Sequence, residues 1–161
     1  QKGRRTEAAG LRLQHDFLAQ AGVDVDAISF GGGAGGSRAD YTTPRATVQL
    51  LTHMAKHRAA DVYRQALPVL GVDGTLATAV DADSPAKGKV RAKTGTFFSH
   101  NTMNNRPLLT SKALAGYMDS AKGRQLIFAF FVNNAHLEKS DDTAKVGRTL
   151  GKLCEIVHEE L

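Results

Sequence analysis

Apolar positions in this chain recur at helical spacing, then at strand spacing, then at helical spacing again. From Glu7 to Ala21, the residues Leu11, Leu13, Phe17, Leu18 and Ala21 share one broad arc, which predicts a helix stopped at Gly22. Val25 to Phe30 is short, apolar and β-prone, and predicts a strand. Gly31 to Gly36 predicts a loop, because so glycine-rich a run holds regular structure only at high entropic cost. Thr43-Pro44 opens a second helix, with a capping hydroxyl followed by proline in the first turn. Thr47, Val48, Leu51, Met54 and Ala55 then lie on one face. A short third helix covers Ala59 to Ala66 and ends before Pro68, and Leu67 to Leu76 is a turn-rich link.

The period then changes. Lys89 to Phe98 alternates and predicts a strand, and Ala113 to Met118 and Gln125 to Val132 predict two more, joined by a turn at Asp119 to Gly123. Leu126 to Val132 is apolar on both faces and predicts a central, buried strand. Phe98 to Thr110 is longer than a tight hairpin needs, so it is expected to be a loop, either a lip beside a cleft or a mobile segment. A last helix starts near Asp141 or Asp142, and its stripe of Val146, Leu150, Leu153, Val157 and Leu161 should lie on the sheet. Helices, three successive strands and a closing helix make an α+β fold, an antiparallel sheet with packed helices, counted as one domain over residues 1–161.

Composition narrows the function classes. Of 161 residues, 42% are hydrophobic and 23% charged, as in an ordinary globular protein, and no apolar run reaches the roughly 18 residues of a transmembrane segment. The net charge of +5 does not point to nucleic acid: the cations are scattered and aromatics are only 6%, with no cationic stripe that interleaves them. The single cysteine, Cys154, excludes an internal disulfide and falls on the apolar face of the last helix, as a small buried hydrophobe would. The segment QKGRRTEAAG has no apolar stretch after its basic residues and no initiator Met, which suggests a trimmed or processed chain.

The informative stretch is KVRAKTGTF, Lys89 to Phe97, and within it Lys93-Thr94-Gly95-Thr96. A Lys-Thr-Gly triplet alone recurs by chance, but this one lies on a predicted strand. It is followed by a second strand with Leu114-Ala115-Gly116-Tyr117 and by the apolar Leu126–Val132 segment. The triplet sets a cation, a hydroxyl donor and a bare backbone step side by side, residue types that together can hold an anionic group close to a strand.

LPVLGVDGTL, then SPAKGKVRAKTGT, then ALAGY resembles the class C low-molecular-mass penicillin-binding proteins, the D-Ala-D-Ala carboxypeptidase/endopeptidases, over about Val25 to Asn134. The triplet belongs, with Ser-x-x-Lys and a Ser-x-Asn-type motif, to the signature of penicillin-recognising enzymes. The resemblance implies part of a β-lactamase/transpeptidase-like fold, and makes this chain the C-terminal part of the catalytic domain. It implies that Lys93 anchors the substrate and can assist proton transfer, that Thr94 and Thr96 bind the carboxylate, and that the Thr96 N–H joins the oxyanion hole. It also implies peptidoglycan stem peptides and β-lactams as ligands, no metal or organic cofactor, and an extracytoplasmic location. The serine of Ser-x-x-Lys and the Ser-x-Asn loop are expected upstream of Gln1, in a missing N-terminal part, so this chain alone is expected to be inactive. The alternative is a non-catalytic peptidoglycan-binding or assembly module.

Several motifs match by letter only. Ser84-Pro85-Ala86-Lys87 fits Ser-x-x-Lys, but lies in a loop nine residues from Lys93. Ser99-His100-Asn101 fits Ser-x-Asn within the hairpin. Gly31-x-Gly33-x-x-Gly36 fits a dinucleotide fingerprint, yet no βαβ unit follows. His53 and His57 are four apart on a helix, but two ligands make no closed metal site, and a solvated face is expected. The family usually has Asp-Gly-Ser-Gly-Leu-Ser before Arg-x-Asn, where this chain has Gly32 to Asp40, so a looser loop is expected there.

Overall fold

The computed structural model describes residues 6–161. The basic start of the chain, on which the trimmed-or-processed reading rests, lies outside the described residues. The chain forms two compact units, one up to Arg58 and one from Ala59 to Leu161.

In the first unit, helix α1 spans Glu7–Gln20. The Thr6 hydroxyl accepts the Ala9 N–H, and Gly22, at φ +76°, ends the helix. The Val23 N–H then reaches the Leu18 carbonyl at 3.0 Å and the Gly22 N–H reaches Ala19 at 3.1 Å, so both orphan carbonyls are satisfied. Leu18 and Val23 are also packed together with Ala46 in a small core. Leu13 and Phe17, expected on the buried arc, are instead 62% and 45% exposed. Helix α2, Pro44–Ala55, has the expected Thr43 cap on the Ala46 N–H. The expected strand at Val25 to Phe30 is a 3₁₀ turn over Val25–Ala27 followed by one bridge, Ser29 to Tyr41, because no neighbouring strand extends the pairing. Nor is the glycine run loose: the Asp40 carboxylate accepts the Gly31 N–H at 2.7 Å and the Ser37 N–H at 2.9 Å, tying both ends of the loop together. His53 is half-buried, with Phe17 edge-on to its ring at 5.9 Å, rather than on a fully solvated face.

The second unit holds α3 (Ala60–Gln65), three strands and helix α4 (Thr143–Glu160). The strands β1 (Val90–Asn101), β2 (Arg106–Asp119) and β3 (Gln125–His136) form an antiparallel meander in the order β1-β2-β3. The segment expected as a lip is mostly strand: β1 runs on to Asn101, β2 starts at Arg106, and a short turn containing Asn105 at φ +49° joins them. A register shift between Phe97 and Phe98 marks a bulge in this arm. The central strand is β2. The apolar β3 lies at the edge, and only its Phe128 is fully buried. The meander connection, not the apolarity of the segment, sets strand order.

One sheet face carries the core. Val90 and Ala92 on β1, Leu114 and Met118 on β2 and Phe128 on β3 pack with Leu150 and Cys154 of α4 and with Leu70 and Leu76 of the preceding link. The buried side of α4 is Leu150, Gly151, Cys154, Glu155 and His158, so the expected stripe is rotated: Leu153 and Leu161 are 38% and 44% exposed. A glycine sets this rotation, because a Cβ at position 151 would sit 2.1 Å from the Ala79 carbonyl oxygen. The backbone of α4 therefore approaches the 77–80 segment more closely than bulky residues would allow. The buried His158 is satisfied by the Asp119 carbonyl at 2.7 Å. Gly116 plays the same part within the sheet, where a Cβ would meet the Arg91 carbonyl oxygen at 2.1 Å. On the opposite face, α3 sets Tyr63 edge-on to Tyr117 and Arg64 over the Tyr117 ring at 4.6 Å.

Candidate active site

Lys93, Thr94, Gly95 and Thr96 lie in the middle of β1, the edge strand. The first part of that edge is occupied: Leu70 donates to the Val90 carbonyl and Ala92 donates to the Pro68 carbonyl, both at 3.0 Å. The Asp73 carboxylate accepts the Val69 N–H at 2.8 Å and fixes this short flanking segment. Successive residues of a strand direct their N–H and C=O groups to alternate sides. Val90 and Ala92 face outward, so Thr94 and Thr96 do too. Among the described residues, no strand pairs with that stretch. Beyond Ala92, β1 therefore presents two successive sets of main-chain donors and acceptors along an open edge.

Side chains alternate as well. Thr94 and Thr96 share the face of Val90 and Ala92, whereas Lys93 and Gly95 lie on the other face. The Lys93 ammonium nevertheless returns to the edge, donating to the Thr94 carbonyl oxygen at 2.8 Å. The Thr94 hydroxyl donates to the Thr75 hydroxyl at 3.0 Å. Among the described residues, only Ala113 comes near the place a Cβ on Gly95 would take, at 3.7 Å. The four residues thus share one strand edge, with the cation and the Thr94 hydroxyl leaving it on opposite sides.

Thr94 also lines a groove of about 260 Å³ between β1, β2 and the N-terminal half of α4. Thr75, Lys112 and Arg148 line it too, and the sequence pattern did not single out any of them. Lys112 stands directly opposite Thr96 in the register. Its position two residues before Leu114 was readable, but its facing Thr96 was not, because the length of the hairpin arm sets that register.

The look-alike motifs have other partners. The Lys87 ammonium donates to the Ala82 carbonyl at 3.3 Å rather than to Ser84, whose hydroxyl oxygen is buried. Ser99 shares a hydrogen bond with Thr110 across the hairpin at 2.9 Å, and Asn101 reaches His136 at 2.9 Å. Among the described residues, no helix is long and apolar enough to cross a membrane.

Comparison with known proteins gives this edge its context. The family model for D-Ala-D-Ala carboxypeptidase 3 (S13) matches residues 1–151. The D-alanyl-D-alanine carboxypeptidase DacB of Haemophilus influenzae is 29% identical over 125 residues, covering 77% of this chain and 24% of that protein. The crystal structure of penicillin binding protein 4 from Haemophilus influenzae, complexed with a β-lactam, superposes with a TM-score of 0.71 at 23% identity, over 96% of this chain and 34% of that one. The TLA-1 extended-spectrum β-lactamase superposes with a TM-score of 0.62 at 22% identity, over 89% of this chain and 53% of that one. The α+β architecture is thus that of the β-lactamase and penicillin-binding fold, and the chain spans about a quarter of the curated relative it matches. With nearly its whole length matched by one family model, the chain belongs to the D-Ala-D-Ala carboxypeptidase 3 (S13) family, among the penicillin-binding proteins.

Proposed function

We propose that residues 1–161 form the C-terminal part of the catalytic domain of a serine-type D-Ala-D-Ala carboxypeptidase/endopeptidase that acts on peptidoglycan stem peptides outside the cytoplasm. The observation that carries this reading is the open edge of β1, where Thr94 and Thr96 turn their main-chain groups outward and the Lys93 ammonium lies on the Thr94 carbonyl. A peptide added along that edge would bond to the main chain of both threonines. Its terminal carboxylate would be held by the hydroxyls of Thr94 and Thr96 and by the charge of Lys93. The Thr96 N–H would donate to the developing oxyanion, a contact typically worth about 2.7–4 kcal/mol in the transition state. Gly95 keeps the approach clear.

The remaining groups come from the part of the protein that precedes Gln1. A serine of a Ser-x-x-Lys motif, activated by its lysine, attacks the penultimate D-Ala carbonyl, and terminal D-Ala departs as the amine. Water then hydrolyses the serine ester. A β-lactam acylates the same serine by ring opening. The edge position of β3 supports an incomplete sheet here: the segment is apolar on both faces but has no strand beyond it among the described residues, and an exposed apolar edge is one that proteins normally pair or cover. By itself, this chain is expected to be inactive.

The test is to treat the longest natural form of the protein with labelled penicillin and map the adduct. A covalent label on a serine upstream of Gln1 is expected. No adduct, with the upstream region intact, would sink the enzyme reading in favour of a peptidoglycan-binding module. Label on Ser84 or Ser99 would overturn the assignment of the nucleophile.

A further inference from the structure

The groove behind Thr94 carries more positive charge than the fold uses. Its wall includes Thr75, Thr78, Thr94, Lys112, Thr143 and Arg148. Lys112 rises from β2 on the core face, directly opposite Thr96, and crosses toward α4. Its Cε and Nζ lie 3.6 and 3.8 Å from where a Cβ on Gly147 would be, which places the ammonium beside the backbone of α4. Among the described residues, no carboxylate is paired with Lys112 or Arg148; the ion pairs of α4 are Lys145 with Asp142 and Lys152 with Glu155. Partial burial alone lowers the Lys112 pKa, so its charged form sits in this wall without compensation.

The groove begins at the β1 edge, because Thr94 belongs to both. From that juxtaposition we infer that Lys112, supported by Arg148, is a specificity-determining cation that receives the carboxylate of a ligand bound along β1. The inference rests on the proposed peptide-binding role of that edge and adds a residue to it. A carboxylate entering between Thr94 and Lys112 would meet threonine hydroxyls and two cations, and would supply the counter-charge the wall lacks. Lys93 cannot provide this charge from the same side, since its stem leaves β1 on the other face. Lys93 would then flank the bound chain end at the edge, and Lys112 and Arg148 would do so inside the groove.

The experiment compares acylation of the longest natural form by benzylpenicillin, which has a free carboxylate, and by its neutral methyl ester. The readout is the ratio of the two second-order rate constants. Lys112→Met keeps the apolar stem and removes the charge, so the ratio should fall about tenfold or more, the usual weight of one charge-assisted contact. Lys112→Arg should retain most of the ratio. Arg148→Gln, at an exposed position on α4, should lower it by a smaller factor and provides the test if Lys112→Met does not fold. A ratio within twofold of wild type in both charge-removing variants would overturn the subsite while leaving the enzyme reading intact. If neither compound labels any serine of the wild-type protein, the enzyme reading fails and the subsite fails with it.

Discussion

Replacing Gly116 with alanine tests whether β1 is held by close backbone approach. Gly116 is paired with Ala92, one residue before Lys93. An added Cβ would lie 2.1 Å from the Arg91 carbonyl oxygen, 2.6 Å from the Ala92 Cα and 2.8 Å from the Ala92 Cβ. Two of those three atoms are main chain, so no flexible side chain can swing aside. Overpacking typically costs about 1–3 kcal/mol, and the lack of slack places Gly116→Ala near or above the upper end. For a chain of this size, each kcal/mol moves the midpoint of thermal unfolding by roughly 2–4 °C, so a loss of about 6–12 °C is expected. Gly95→Ala, on the same strand pair, is the control: its nearest neighbour is an ordinary contact at 3.7 Å, and the midpoint should stay within about 2 °C, since alanine also reduces unfolded-state freedom. Thermal denaturation followed by circular dichroism distinguishes the two. Equal midpoints for Gly116→Ala and wild type would refute the claim that backbone contact positions β1. Gly95→Ala should nevertheless slow acylation in the longest natural form, because the methyl group stands where the ligand backbone approaches.

Two further outcomes concern α4. The buried Glu155 carboxyl is held below the usual glutamate range, first by the Lys152 ammonium and then by the Ser84 hydroxyl. A lowered native pKa contributes stability above the unfolded value of about 4.3 and loses it as pH falls through the native value, so wild-type stability should drop more steeply below about pH 4 than that of Glu155→Gln in urea titrations at several pH values. A parallel decline in both proteins would contradict this. The Cys154 thiol, pushed up to about 12 chiefly by burial and then by the Glu155 charge, should resist alkylation at pH 8 until the helix detaches; rapid labelling under native conditions would show that α4 is not docked as described.

Much of this architecture was legible in the sequence because local chemistry decided it. Thr43-Pro44 could only begin a helix, and the Asp119–Gly123 turn between two β-prone runs could only make a hairpin. What escaped was decided by partners distant in sequence. The β-prone Val25–Phe30 segment had no strand to pair with. The face of α4 was set by Gly151 against the Ala79 carbonyl, so a stripe drawn through the largest apolar residues pointed Leu153 and Leu161 the wrong way. The segment from Phe98 to Thr110 reads as a loop because it is longer than a tight hairpin needs, yet in the fold most of it continues the β1–β2 ladder. That misreading also concealed Lys112, since its position opposite Thr96 depends on the length of the arm. The Lys-Thr-Gly triplet was legible as a motif, whereas the outward direction of the Thr94 and Thr96 main chain required the pairing at Pro68 and Leu70.

The most direct measurement pairs two numbers from one sample of Lys93→Ala in the longest natural form: its penicillin acylation rate and its unfolding midpoint. An exposed ammonium bonded to a neighbouring carbonyl should matter little to folding, so the midpoint should hold within a few degrees while acylation falls by about tenfold or more. If rate and stability decline together, or if acylation is untouched, Lys93 is an ordinary strand lysine and this edge is not where the ligand's acidic end is held.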